Sequence, residues 1–214
     1  MKGLIALAVP QFRRPSGMLG RLVGRYMARK NQQRNTWTIE LLDVQPIDRI
    51  LELGFGPGWA IERISQLVTS GFVAGIDHSD VMVRQASQRN AAAVREGRVR
   101  LHQGSADEIP YPDKTFDKAF AVNVHMFWHD PIATLEEIRR VLKPGGSVSI
   151  ALQPKWAKTE DEVRSSGNRI VQLLEKAEFE NIELRSKSMQ PVTCVCAIGH
   201  KINSSYSQIR ANNS

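Results

Sequence analysis

Three glycines, Gly54, Gly56 and Gly58, stand directly after the apolar run Arg49–Leu53 and before a stretch of helical period. Glycine in a strand-to-helix turn lets the backbone bend tightly and admit a ligand where a Cβ would intrude. Two carboxylates accompany the loop: Glu52 just before it, and Asp77, which ends a second apolar run 19 residues after Gly58. A carboxylate about 20 residues beyond such a loop suits the paired hydroxyls of a ribose, in a dinucleotide or in another nucleoside cofactor. The dinucleotide fingerprint itself fails, because its third glycine would fall at Trp59 and that ring would crowd a pyrophosphate at the helix N-terminus.

A second group of residues could move a proton. His125 and His129 follow the apolar run Phe116–Val122, with Tyr111, Phe127 and Trp128 close in sequence. Either imidazole suits proton removal from a phenol or enol, although a packing or hydrogen-bonding histidine is the favoured reading of each. The aromatic residues fit the wall of an apolar pocket or a place in the core. An i, i+4 histidine pair holds a metal only on one helix and with a further ligand, and none is evident, so no metal is expected. Cys194 and Cys196 alternate on a strand and face the same way, which makes a bond between them strained and reads as two buried thiols. Two cysteines used this way suit a reducing cytoplasm, the expected compartment.

The elements that must position these groups alternate between short apolar runs and helical periods, as in a parallel sheet with crossover helices. Strands are expected at Arg49–Leu53, Phe72–Ile76 ending at Asp77, Val99–Gln103, Phe116–Val122 and Ser147–Leu152. Between them fall a helix with Ile61, Ile64 and Val68 on one face and one capped by Ser79 that carries Met82, Val83 and Ala86. Asp130-Pro131 opens another, with Leu135, Ile138 and Leu142 inward, and Lys143-Pro144-Gly145-Gly146 is expected to stop it. Thr159 and Glu162 have capping-box spacing for a helix reaching about Lys176. Ile182–Ser186 and Val192–Ile198 are close enough to form an antiparallel edge pair.

Read whole, Glu52-Leu53-Gly54-Phe55-Gly56-Pro57-Gly58 resembles the E/D-x-G-x-G-x-G motif of class I S-adenosylmethionine-dependent methyltransferases. Gly104-Ser105-Ala106-Asp107, Phe116-Asp117-Lys118-Ala119 and Val141-Leu142-Lys143-Pro144-Gly145-Gly146 follow in that family's order, and the likeness covers Pro46 to Gly199. Residues 15–35 and Asp77-His78-Ser79 with Met82 look most like small-molecule enzymes related to the quinone-biosynthesis group. The resemblance implies an α/β, Rossmann-like fold whose mostly parallel seven-stranded sheet ends in an antiparallel edge pair. It also implies S-adenosyl-L-methionine as cofactor and methyl transfer to a small-molecule O, N, C or S acceptor. Gly54, Gly56 and Gly58 would pass under the methionine part, with Glu52 ordering the loop and reaching the ammonium. Asp77 would bridge the ribose hydroxyls and His78 and Met82 would flank the adenine, although Met82 is equally a core residue. Ala106 and Asp107 would meet the adenine amine, and Asn123 would lie near the methionine end. Ala177-Glu178-Phe179 departs from the family's usual Ala-Gly-Phe, which puts the preceding helix's C-cap in question.

Composition bounds the alternatives. At 214 residues with 42% hydrophobic and 24% charged content, the chain suits a globular α/β core with an appendage, and no apolar run is long enough to span a bilayer. The net charge of +7 resides entirely in residues 1–40, where eight basic residues face the single Glu40. In Met18–Lys30, Arg21, Arg25 and Arg29 share one line, Gly20, Gly24 and Ala28 another, and Leu19, Leu22, Val23, Tyr26 and Met27 an apolar side. A lid that packs its small-residue stripe on protein is expected. Contact with an anionic membrane is the competing use of that helix, and nucleic acid is not expected, because no aromatics interleave the arginines. The expected organisation is a basic helical lid at 1–45, a cofactor-binding catalytic domain at 46–200 and an unstructured tail at 201–214. A cofactor-binding protein without turnover, a phospholipid-headgroup methyltransferase and an NAD(P)-linked oxidoreductase remain as other classes, and the sequence assigns no oligomeric state.

Overall fold

A computed structural model describes residues 32–202. The helix expected over Met18–Lys30 and all but the first two residues of the expected tail lie outside them. The chain divides into two compact units, Met1–Ala106 and Asp107–Ser214.

Within the first unit lies helix α1, residues 32–42, which falls inside the expected helical segment 1–45 but beyond the helix read over Met18–Lys30, and which buries Arg34, Trp37, Thr38 and Leu42 at helical spacing. Asp48 closes the turn that follows by accepting the Gln45 N–H at 2.8 Å. Strand β1 (Arg49–Leu53) then leads to α2 (Trp59–Leu67), β2 (Phe72–Asp77), α3 (Asp80–Arg89), the short α4 (Ala91–Arg95) and β3 (Val99–Gln103). The three strands are parallel, in the order β3-β2-β1, with Leu53 opposite Ile76 and Asp77 opposite Gln103. Their near-continuous apolar character answers to burial on both faces: Ile50, Leu51, Leu53, Val73 and Ala74 are fully enclosed. Backbone bonding continues past the strand ends, with the Gly54 N–H on the Ile76 carbonyl and the Gly104 N–H on that of Asp77. The loops at 54 and 104 and the Asp77 carboxylate therefore gather at one edge of this unit.

The second unit holds β4 (Phe116–Val122), a 3-10 turn at His125–Phe127, α5 (Pro131–Val141), β5 (Leu142–Leu152), α6 (Glu160–Lys176), β6 (Glu180–Lys187) and β7 (Cys194–His200). Its strand order is β4-β5-β7-β6, with β4 and β5 parallel and β7 antiparallel to both neighbours. The seven strands thus carry the parallel crossovers and the antiparallel edge pair that the sequence predicts. The helix starts are chemical. Asp130 accepts from the Ile132 and Ala133 N–H groups ahead of Pro131, and Thr159 with Glu162 completes a capping box. Val163, Gly167, Ile170 and Leu174 give α6 its buried stripe.

The connection from α5 to β5 differs from expectation. Leu142, read as helical, already opposes Phe116 as the first residue of β5, and Lys143-Pro144-Gly145-Gly146 is strand rather than stop. The register slips between Phe116 and Lys118, so Pro144, which has no N–H to give, sits where the ladder is irregular. Bonds from Gly145 N–H to the Lys201 carbonyl and back from Lys201 N–H to Gly146 hold this stretch extended. Strand β7 begins at Cys194 instead of Val192, because the Val192 carbonyl is taken by the Gln153 side chain at 2.7 Å.

The helix end at Ala177-Glu178-Phe179 is formed with Glu178 in the left-handed region, φ 58°. A side chain there costs about 1–2 kcal/mol, and its exposed ion pair with Arg139 at 3.1 Å returns only about 0.2–1 kcal/mol. Glu178→Gly is therefore expected to raise the melting temperature by roughly 1–3 °C. A lower melting temperature in differential scanning calorimetry would show that the Arg139 pair outweighs the strain.

Candidate functional site

The loop after β1 runs through three left-handed positions, with φ 70°, 53° and 75° at Gly54, Gly56 and Gly58. Two of these glycines serve different ends. A Cβ built on Gly56 meets nothing within 4 Å, so the loop presents open space there. On Gly58 it would fall 2.6 Å from the Ala86 Cβ and 2.9 Å from both the Ala86 Cα and the Asn90 amide nitrogen. Gly58 is thus a packing glycine that lets α2 meet α3, a reason other than the ligand approach expected of it. Asn90 fastens the same contact, donating to the Gly58 and Ala86 carbonyls.

Asp77 organises the loop. One carboxylate oxygen accepts the Gly56 N–H at 2.8 Å and the other the Ser79 N–H at 2.9 Å. The residue is buried, and each oxygen retains a lone pair for a further donor. Burial raises its carboxyl above the ordinary value, against the pull of the Ser79 and Gly56 N–H groups and of His78. His78, with its ring nitrogen 3.9 Å from Asp77, is about half exposed.

Glu52 is 3% exposed. The N-cap of α2, Gly58, has no side chain to offer, and Glu52 instead receives the Ile61 N–H from the first turn of that helix. Its other oxygen, Oε2, is buried with no hydrogen-bond partner among the described residues. Burial, reinforced by the charge of Asp77, holds Glu52 well above the ordinary glutamate range. A buried acceptor without a donor costs about 1–3 kcal/mol, more when charged, and is the kind of exception that a ligand explains.

Met82 lies in the core at 2% exposure, one of the two places the sequence left open for it. Ala106 is half-buried in a turn at the end of the first unit. Glu52, the three glycines, Asp77 and His78 are thus brought together within the first unit.

The remaining expected residues belong to the second unit. Asp107 is an exposed turn residue. Asn123 follows β4 at φ 57°, a left-handed position that asparagine tolerates, and its side-chain oxygen accepts the Gln153 N–H at 2.7 Å. Gln153, which follows β5 and is buried, in turn donates to the Gln190 and Val192 carbonyls. Sequence reading missed Gln153. Its signal was a polar residue closing an apolar strand, the pattern that also marks Asp77 and Asn123.

His125 lies on the 3-10 turn, and His129 in the exposed bend that follows it. Burial pushes the His125 imidazole down to about 4, and its Nδ1 is enclosed without a partner. The ring stands edge-on to Trp128 at 6.2 Å. Tyr111 stacks edge-on against the fully buried Phe116 at 4.9 Å. Phe127 is instead exposed, as are Met126 and Trp156, two residues that sequence reading passed over. Among the described residues no three His, Cys, Asp or Glu side chains gather for a metal, and no helix is long and apolar enough to cross a membrane.

Comparison with known proteins gives a consistent result. Residues 51–150 match the methyltransferase domain. The uncharacterized methyltransferase YdaC of Bacillus subtilis is 36% identical over 84% of this chain and 98% of its own length. A demethylmenaquinone methyltransferase of Bacillus cereus is 34% identical over 55% of this chain and 51% of its own. In solved structures, the methyltransferase bound to the Trm112 activator of Haloferax volcanii superposes with a TM-score of 0.72 at 18% identity, over 84% of this chain and 94% of that one. A SAM-dependent methyltransferase of Aquifex aeolicus gives 0.62 at 22% identity, over 78% and 89%. At these identities the structural likeness speaks for a shared Rossmann-like class I fold.

Proposed function

The chain belongs to the methyltransferase family, and from that premise we propose that it binds S-adenosyl-L-methionine at the loop after β1 and passes its methyl group to a small-molecule acceptor. The observation that carries the reading is the buried Glu52 oxygen without a donor, beside a loop that leaves open space at Gly56. An ammonium supplies the missing donor, and the Asp77 oxygens, with lone pairs to spare, suit a pair of ribose hydroxyls. His78, exposed next to Asp77, suits the flank of a nucleobase. Asp107 and Asn123 are retained as cofactor contacts on the resemblance alone, since the Asn123 side-chain oxygen already holds the Gln153 N–H.

When bound, the sulfonium provides a methyl group already activated for displacement. What the protein adds is alignment and exclusion of water. Where an acceptor needs proton removal, His125 on the 3-10 turn and the exposed His129 beyond it are the candidate bases. The acceptor class follows the small-molecule relatives, among them the demethylmenaquinone enzyme.

Titration calorimetry with S-adenosylmethionine, S-adenosylhomocysteine and NAD tests the cofactor, and a labelled-methyl screen over quinols, phenols, amines, thiols and phospholipid headgroups tests the acceptor. Binding of the first two ligands and not NAD is the expected result. Heat with NAD alone would return the chain to the oxidoreductases. Cofactor binding with no transfer to any acceptor class would favour a protein that binds without turnover.

A further inference from the structure

We propose that the loop after β1 takes up its cofactor with release of a proton from Glu52, which makes Glu52 a proton-linked anchor for the cationic amino-acid end of the cofactor. The inference rests on the reading above that the cofactor is S-adenosylmethionine.

Two buried carboxyls, Glu52 near the end of β1 and Asp77 at the end of β2, stand on neighbouring strands. Asp77 accepts two backbone N–H groups, one on each oxygen, and such bonds favour the ionised form. Glu52 accepts one, from Ile61, and its Oε2 has none. Two adjacent negative charges in a low dielectric are costly, so the proton goes to the carboxyl with the poorer partners, which is Glu52.

Among the described residues the surroundings of Glu52 supply no compensating cation. Next to Glu52, β2 presents Asp77 with His78 beyond it, and α2 presents the Ile61 N–H. On α2, Glu62 is held by Arg89 at 2.9 Å, and on α3 Asp80 is held by Arg84 at 2.7 Å. Of the charged groups among the described residues, Asp77 is the one that acts on Glu52.

An arriving ammonium reverses the balance. It donates to the vacant oxygen and offsets the Asp77 charge, so the carboxylate becomes the stable form. The Glu52 O–H bond breaks, its electron pair stays on the oxygen, and the proton passes to the buffer. No covalent bond forms to the ligand.

The sign follows. Cofactor binding requires ionised Glu52, so affinity is full above the Glu52 titration of the free protein and falls about tenfold per pH unit below it.

Calorimetry of the unmodified chain in two buffers of different ionisation enthalpy counts the protons directly. S-adenosylmethionine and S-adenosylhomocysteine should each release a number that rises toward one as the pH is lowered from about 8 to about 5. Adenosine, which lacks the ammonium, should bind with no release, and Glu52→Gln should abolish release for every ligand. Binding enthalpies that are the same in both buffers at every pH would overturn the inference while leaving the cofactor reading intact. Release with S-adenosylmethionine alone would overturn the assignment to the amino-acid end, since only that ligand carries the sulfonium. No binding of S-adenosylmethionine at any pH would sink the cofactor reading and the inference with it. The ligand series on the unmodified protein decides the matter even if Glu52→Gln fails to fold.

Discussion

Replacing Gly56 by valine is expected to abolish S-adenosylmethionine binding, by a factor of at least about a hundred, while the protein still folds. The backbone at 56 stands at φ 53°, where a β-branched residue is a steric outlier at a cost of about 1–2 kcal/mol. Its side chain would occupy the open space that Gly56 leaves, and any escape of the backbone from that conformation pulls the Gly56 N–H off Asp77.

Gly58→Ala should do the opposite. A methyl there meets the Ala86 backbone at 2.9 Å, which cannot rotate away, so α2 and α3 must part. Overpacking of this kind costs about 1–3 kcal/mol, and the left-handed φ adds about 1–2 kcal/mol. The melting temperature should fall by roughly 5–15 °C. Thermal melts and cofactor titrations of the two variants separate the roles. Unaltered affinity in a folded Gly56→Val would remove the loop from the binding site, and an unaltered melt for Gly58→Ala would dispose of the packing argument.

Asp77→Ala carries the second large effect, because one carboxylate holds both the protein and, as proposed, the ligand. Its loss leaves the buried Ser79 N–H without an acceptor, at about 1–3 kcal/mol, deprives the part-buried Gly56 N–H of its own, and removes the charge-assisted bonds to the ribose. Stability should fall by a few kcal/mol and affinity by about a hundredfold or more. Asp77→Asn, which keeps a carbonyl oxygen, should recover part of the stability and less of the affinity. A cofactor analogue lacking both ribose hydroxyls distinguishes the two contributions, since it should bind the wild type weakly and gain nothing more from Asp77 than the loop geometry. If the analogue binds the wild type as tightly as the natural cofactor does, Asp77 serves the loop alone.

The elements that were legible in the sequence are those decided by neighbours along the chain. Ser79, Asp130-Pro131 and the Thr159–Glu162 pair announce helix starts within four residues, and each does so in the structure. The strands at Arg49–Leu53, Val99–Gln103 and Phe116–Val122 are found with the expected ends. Errors occur where distant pairing overrides local signals. Pro144-Gly145-Gly146 reads as a turn by every local rule, yet exchanges bonds with Lys201 and is drawn into β5. The short helix at Ala91–Arg95 begins immediately after the end of α3, so periodicity alone did not separate the two.

The candidate site shows the same division. The glycine spacing located the loop and Asp77, but spacing cannot tell a glycine that faces a ligand from one that faces a helix, and Gly58 is the latter. The character of His125 depends on burial, which the chain assembles from residues far apart. Glu52 was expected to order the loop. In the structure it accepts from the first turn of α2 and leaves one oxygen bare, while the loop N–H of Gly56 goes to Asp77.

Helix α5 ends at Val141 and β5 begins at Leu142, with no residue between them. A loop between two elements absorbs gained or lost residues, and this junction has none. One inserted residue would turn the Thr134, Leu135, Ile138 and Val141 face of α5 by about 100°, or reverse every side chain of β5 between its two faces. The junction is therefore closed to length variation as the lineage diverges: it can accept substitutions there, and must accommodate insertions and deletions elsewhere.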